Sequence, residues 1–149
     1  MVLPLLVFTS CNGEKLPGLG NVTGTVTMDG KPVSDATIQF TPAEPGATAS
    51  FGMTDSAGKY ELYYSRGNKG AKVGGHSVTI NSFRDSGEGG QSQKETIPTR
   101  YNLNTELKAD IKRGSNVVNF DLKSGGEIAQ PNEEPGTGKK KGRSVTGCM

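Results

Sequence analysis

The stretch VTGTVTMDGKPVSDATIQF (residues 22–40) decides the fold, because its apolar and polar side chains alternate on both sides of a turn. In residues 22–28, two valines and a methionine fall on one face of an extended segment and three threonines on the other. Residues 36–40 place an alanine, an isoleucine and a phenylalanine on one face in the same way. The Asp29-Gly30 dipeptide between them favours a tight turn, since glycine tolerates a positive φ. A period of two predicts half-buried β-strands on either side of this turn.

The same alternation recurs along the chain and predicts five further short strands. In residues 49–54 two orientations are open: either Phe51 and Met53 point inward, or Gly52 and Thr54 do. The other four strands have a clear inward face, formed by Tyr60, Leu62 and Tyr64, by His76, Val78 and Ile80, by Leu107, Ala109 and Ile111, and by Val118, Phe120 and Leu122. Seven such strands bury their apolar faces when two sheets pack face to face. We therefore expect an all-β, seven-stranded Greek-key β-sandwich over residues 21–123, with a small barrel as the alternative.

Composition limits the folded part of the chain to one thin core. Hydrophobic residues make up 32% of the 149 residues, against the ~45–50% of typical globular domains. Residues 84–96 are polar and aperiodic, which predicts a mobile excursion, and residues 124–149 predict a disordered tail. A net charge of +2 gives no signature of nucleic-acid binding.

The first ten residues form a short apolar run that contains Pro4 and ends at the small residue Ser10, just before Cys11. The run is too short to span a membrane and has the length of the apolar region of an export signal. It resembles a bacterial lipoprotein signal, in which the box at residues 8–11 ends in the cysteine that receives the lipid. The resemblance implies a signal peptide over residues 1–10, lipidation of Cys11, a linker over 11–20 and a location in the cell envelope, anchored to the membrane and facing the periplasm or the exterior. A plain secretory signal and a disordered apolar end are the alternatives; Pro4 argues against a buried central strand.

Three segments together carry a family resemblance: GTVTMDGKPVSDATIQFTP (residues 24–42), TDSAGKYEL (54–62) and GGHSVTI (74–80). They resemble carboxypeptidase regulatory-like domains, which share the transthyretin-like (prealbumin-like) sandwich. IPTRYN (97–102), followed by two strands, is similar to a group of bacterial envelope lipoproteins that carry one such domain behind a lipidation signal. The resemblance implies the fold and the location, and says little about activity.

The residues offer little catalytic or metal-binding chemistry. His76 is the only histidine, and its inward parity favours a structural role. Cys11 and Cys148 are remote in sequence, and zinc needs several clustered ligands. Asp29 and Asp55 are better explained as turn formers than as calcium ligands. We expect no catalytic residue, no metal and no cofactor.

Two functions follow as expectations. The first is a non-enzymatic, lipid-anchored envelope protein whose sandwich serves a structural or protein-interaction role. The alternative is a carbohydrate- or peptide-binding module on the cell surface, in which Tyr63 and Tyr101 line a shallow site. Strand tyrosines also serve cross-strand packing, so both roles stay open for them. The expected partners are the membrane, through Cys11, and an envelope protein or a glycan.

Overall fold

The structure is a computed structural model that describes residues 18–85 and 87–131. These residues form twelve short strands and one 3-10 turn, with no α-helix among them. The strands are β1 (Leu19–Met28), β2 (Lys31–Pro32), β3 (Thr37–Pro42), β4 (Ser50–Met53), β5 (Lys59–Glu61), β6 (Tyr63–Ser65), β7 (Asn68–Lys69), β8 (Ala71–Lys72), β9 (Gly74–Asn81), β10 (Lys108–Ile111), β11 (Gly114–Val117) and β12 (Phe120–Leu122), and the 3-10 turn is Thr99–Tyr101.

The strands form two sheets. In sheet one, β1 pairs antiparallel with β2, β5 and β8 and parallel with β11 and β12. Sheet two is antiparallel, in the order β10-β9-β3-β4-β6-β7. The predicted all-β class is confirmed, and the two sheets are consistent with a β-sandwich. The strands missing from the sequence pattern are β2, β7 and β8, which have two residues each, and β11, whose sequence GSNV has no buried apolar side chain to mark a face.

The core contains the side chains that the alternation placed inward. Ile38, Phe40 and Leu62 are fully buried, and burial of side chains of this size stabilises a fold by roughly 1.5–3 kcal/mol each. Tyr64, which was also expected to point inward, is only half-buried. The rest of the buried apolar cluster is Val22, Val26, Ala36, Tyr60, Ala71, Val78, Ile80, Ile97, Ile111, Phe120 and Leu122.

Strand β4 settles the orientation that the sequence left open. Phe51 and Met53 are 50% and 52% exposed, while Thr54 is buried and its hydroxyl accepts a hydrogen bond from the Ala36 amide at 2.9 Å. A Cβ on Gly52 would lie 2.6 Å from the carbonyl oxygen of Glu61. The inward side of β4 therefore takes glycine, and the large apolar side chains face solvent.

The two predicted turns form as expected. Asp29 and Gly30 have φ values of 51° and 80°, both in the left-handed region. Asp55 accepts hydrogen bonds from the amides of Ala57 and Lys59, each at 2.9 Å.

The ordered chain extends beyond both predicted boundaries of the domain. Strand β1 begins at Leu19, within the segment predicted as linker. Residues 124–131, at the start of the predicted tail, make hydrogen bonds to the fold: the Ser124 amide donates to Asp29 Oδ1 at 3.1 Å, and the Thr99 amide donates to the Glu127 carbonyl at 2.8 Å. The rest of the predicted tail, the signal segment and Cys11 lie outside the described residues.

Candidate functional site

The two tyrosines predicted to share a site lie in different surroundings. Tyr63 is in β6 on the outer side of sheet two and is 43% exposed. Tyr101 ends the 3-10 turn, is half-buried and packs against the core. Among the described residues, those that line the surface depression at Tyr63 do not include Tyr101, so the two tyrosines do not line one site there.

Tyr63 belongs to an open surface depression of about 730 Å³. We call this depression the aromatic groove and define it by Phe51, Met53, Lys59, Glu61 and Tyr63. Phe51 and Tyr63 are direct cross-strand partners between β4 and β6. Opposed side chains on neighbouring antiparallel strands have Cβ atoms ~4.5–5.5 Å apart, so Phe51 and Tyr63 project from adjacent positions on the same outer face.

The aromatic groove lies where the chain passes from one sheet to the other. Strand β5 pairs with β1 in sheet one, and β6 pairs with β4 in sheet two. Leu62, between them, is fully buried and fixes this crossing point. Glycine at position 52 lets β4 approach the Glu61 carbonyl closely. The groove is thus lined by both sheets and rests on the buried core.

A hydrogen-bonded ion pair sets the electrostatics of the groove. Tyr63 donates its hydroxyl hydrogen to Glu61 Oε2 at 2.9 Å, and Lys69 Nζ lies 3.1 Å from Glu61 Oε1. The hydrogen bond from Lys69 is the main cause that lowers the pKa of Glu61, and the same contact raises the pKa of Lys69. The carboxylate therefore stays ionised near neutral pH and orients the tyrosine ring.

Tyr101 has a different bonding pattern. Its hydroxyl oxygen accepts a hydrogen bond from the Lys123 amide at 3.0 Å. The Arg100 guanidinium lies 4.9 Å from the ring centroid, and its Nη2 donates to the Lys123 carbonyl at 2.6 Å. Tyr101 thus fixes the chain after β12, and it is not among the residues that line the aromatic groove.

A buried glutamate near Tyr101 was missed by the sequence reasoning. Glu95 is only 4% exposed, and the interactions of its carboxylate join the two ends of the 82–97 segment. Its oxygens accept hydrogen bonds of 2.7–3.3 Å from the amides of Ser82, Phe83, Thr96 and Ile97 and from the Ser82 hydroxyl. Gln130 bonds both the amide and the carbonyl of Glu95, at 3.0 Å each. Every donor on the carboxylate is a neutral backbone or hydroxyl group, which explains why no charge pattern in the sequence indicated this residue.

His76 lies on the inward face, as predicted. Its Nδ1 donates to the Gly74 carbonyl at 2.9 Å, and its Nε2 is buried with no hydrogen-bond partner among the described residues. Burial is the main cause that lowers the pKa of His76. One ring nitrogen is bonded to the backbone and the other is buried, so this side chain is suited to packing. Its ring lies beside that of Phe40, with 5.8 Å between the ring centroids.

Within residues 18–85 and 87–131, no three His, Cys, Asp or Glu side chains come together in a way that could hold a metal ion. None of the helical structure found in the same residues is long and apolar enough to cross a membrane.

Comparison with known proteins gives no family for this chain. No protein-family model matches it, and no curated protein does so either. Among solved structures it is similar to a 9R-lipoxygenase from Cyanothece PCC8801, with 17% sequence identity and a TM-score of 0.42. The match covers 78% of this chain and 18% of the lipoxygenase. A likeness this weak supports neither a fold assignment nor an activity.

Proposed function

We propose that this chain is a non-enzymatic, lipid-anchored protein of the bacterial cell envelope that presents a β-sandwich of the carboxypeptidase regulatory-like type for binding. The three segments that resemble this family, residues 24–42, 54–62 and 74–80, supply strands to both sheets. In this proposal the main strands follow the Greek-key order of the transthyretin-like fold. The parallel pairing of β1 with β11 and β12 supports it, because it returns the end of the domain to the first strand.

The anchor in this proposal is a lipid on Cys11, with the chain up to β1 as the spacer. The support is the resemblance of residues 1–11 to a lipoprotein signal. Each buried methylene of an acyl chain contributes about 0.8 kcal/mol to membrane binding, so several chains on one cysteine hold a protein of this size stably.

One observation carries the binding role: three large apolar side chains, Phe51, Met53 and Tyr63, are exposed together on the aromatic groove. A contiguous exposed apolar patch marks an interaction site more often than isolated surface residues do. The buried Leu62 lies between the two strands that carry the groove and anchors them to the core. A structural or protein-interaction role at the envelope follows.

Cell fractionation tests the anchor. We expect the wild-type protein in the membrane fraction, with a mass that shows cleavage before Cys11 and an added lipid. Cys11→Ala should move the protein to the soluble fraction, and the matched variant Cys148→Ala should not. An unmodified Cys11, or a mature protein that retains Met1, would contradict the anchor.

A capture experiment from detergent-solubilised envelopes tests the binding role. The double variant Phe51→Ala/Tyr63→Ala should lose the components that the wild type retains. Val117→Ala removes an apolar side chain of β11 that is even more exposed, at 73%, but lies outside the aromatic groove, and should retain them. Equal capture by both variants would contradict a binding role for the groove.

The alternative, a carbohydrate- or peptide-binding module, is favoured by the paired positions of the two exposed aromatic side chains on neighbouring strands. Adjacent exposed rings offer an apolar platform of the kind that sugar rings stack on.

A further inference from the structure

We propose that the aromatic groove binds a neutral glycan chain, with the rings of Phe51 and Tyr63 as its stacking platform. This inference rests on the carbohydrate-binding alternative of the proposed function, since it names the class of glycan for the same exposed surface.

The two aromatic side chains can serve one platform because they project from paired positions on the outer face of neighbouring strands. Phe51 and Tyr63 are opposed across β4 and β6, and about half of each side chain is exposed. Met53 extends the apolar surface along β4. One face of a pyranose ring carries mostly C–H groups, so it loses little hydration when it stacks on an aromatic ring. Two neighbouring rings suit consecutive sugar residues.

Polar side chains border the platform at positions that suit sugar hydroxyls. Thr37 and Gln39, on β3, are the cross-strand partners of Met53 and Phe51, and alternation places them on the same outer face. On the other side, the carboxylate of Glu61 is held by Lys69 and by the Tyr63 hydroxyl. Fixed acceptors and donors at the rim of an apolar surface give a ligand its orientation.

The charges around the groove favour a neutral ligand. Three carboxylates and three cations lie in or beside it, so they cancel in sum. Glu61 pairs with Lys69 at 3.1 Å, and Asp35 pairs with Arg84 at 3.8 Å; that arginine also contacts Met53. The remaining carboxylate and cation, Asp55 and Lys59, both line the groove. An anionic or a cationic polymer would meet like charge on some part of this surface and gain no net attraction.

The size and shape of the groove fit the interior of a polymer chain better than a protein partner. The groove is an open depression of about 730 Å³ on the surface. Protein interfaces bury ~800 Å² on each partner around an apolar centre, whereas the large exposed apolar side chains of the groove are Phe51, Met53 and Tyr63. Because the groove is open, a glycan chain would pass through it without ending there.

Titration of the full-length protein with defined hexasaccharides tests the inference. The neutral probes are cellohexaose, chitohexaose and laminarihexaose; the charged probes are hexagalacturonate and chitosan hexamer. We expect at least one neutral probe to bind and both charged probes to bind more weakly than it does. Removal of one ring, in Phe51→Ala or Tyr63→Ala, should weaken binding about tenfold, as for the loss of a central aromatic contact. Tyr63→Phe keeps the ring and should stay within about threefold of the wild type.

Val117→Ala is the matched surface control and should bind as the wild type does, with thermal unfolding recorded for every variant to show that it is folded. The inference is overturned if no neutral probe binds at millimolar concentration, if a charged probe binds best, or if folded Phe51→Ala and Tyr63→Ala bind like the wild type. If the neutral probes fail while envelope capture still depends on Tyr63, the glycan inference falls and the proposed binding role stands.

Discussion

The aromatic groove can be compared with the hydrogen bonds of Glu95 and Tyr101, which we call the closing network. The two regions contain similar residues in different roles. Each contains a glutamate and a tyrosine whose hydroxyl is hydrogen-bonded. In the groove, Tyr63 bonds the exposed carboxylate of Glu61. In the closing network, Tyr101 bonds the backbone amide of Lys123, and Glu95 accepts mainly from backbone amides.

The two regions differ in the hydrogen-bond partners of their side chains more than in their residue types. A side chain bonded to backbone holds a loop in place, and where the backbone group is buried, as at Glu95, its loss leaves that group without a partner. A side chain bonded to another exposed side chain can exchange that bond for one to water or to a ligand. The closing network is therefore expected to stabilise the fold, and the groove to be available for binding.

The largest effect on stability is expected at Glu95. Glu95→Ala leaves buried amides, including those of Ser82 and Ile97, without acceptors. Each unsatisfied buried group costs about 1–3 kcal/mol, so we expect a loss of about 3 kcal/mol or more in the free energy of unfolding. Urea unfolding measures it. Glu61→Ala is the matched variant in the groove and should leave the unfolding midpoint unchanged. Equal effects of the two variants would remove the distinction between the regions.

A smaller effect is expected when each tyrosine loses only its hydroxyl. Tyr101→Phe removes the acceptor of the Lys123 amide and should cost about 1 kcal/mol in the free energy of unfolding. Tyr63→Phe should change it by less than about 0.5 kcal/mol, because its hydroxyl is on the surface. The comparison would fail if Tyr63→Phe were the more destabilising substitution in the same urea experiment.

The smallest effect on the free energy of unfolding is expected from a change of pH. This pH dependence should come from His76 in the core and should not affect the groove. Burial lowers the pKa of His76 below its ordinary 6.5. The negative charge of Asp110 opposes this shift, and the positive charge of Lys72 adds to it; both contributions are smaller. The unfolded chain then binds a proton before the native chain does as the pH falls. The contribution of His76 to the free energy of unfolding is fully present above about pH 6.5. It declines as the pH falls from there toward the lowered pKa of native His76.

Urea titrations at pH 7.5, 6.5 and 5.5 should show this decline in the wild type and a flatter profile in His76→Gln. The groove should be insensitive to pH over the same range. The contact between Lys69 and Glu61 lowers the pKa of Glu61 and raises the pKa of Lys69, so both shifts move these groups away from titration near neutral pH. Glycan affinity that followed the His76 titration would contradict the separation.

Local alternation predicted much of the core and little of its surroundings. Ile38, Phe40 and Val78 are buried as their parity required, because a strand with one buried face shows its register in its sequence. The orientation of β4 could not be read in this way: Phe51 and Met53 are apolar yet exposed, and only the approach of the Glu61 carbonyl to Gly52 fixes the choice.

The closing network was beyond sequence reasoning for a related reason. Glu95 and Tyr101 form hydrogen bonds with backbone groups that the fold brings together. Every residue has these backbone groups, so the sequence does not show which of them will be the partners. The parallel pairing of β1 with β11 and β12 is equally non-local. Tyr63 was identified because outward strand parity is local information, and the same reasoning could not place Tyr101, which lies in a turn.

The most direct test of the groove is a chemical-shift titration of the isotope-labelled full-length protein with the neutral hexasaccharide that it binds best. The predicted result is a set of concentration-dependent shifts at the amides of Phe51, Gly52, Glu61 and Tyr63, with none at residues 95–101. Shifts at Thr99–Tyr101, or no shifts on β4, β5 and β6 at millimolar glycan, would contradict the account.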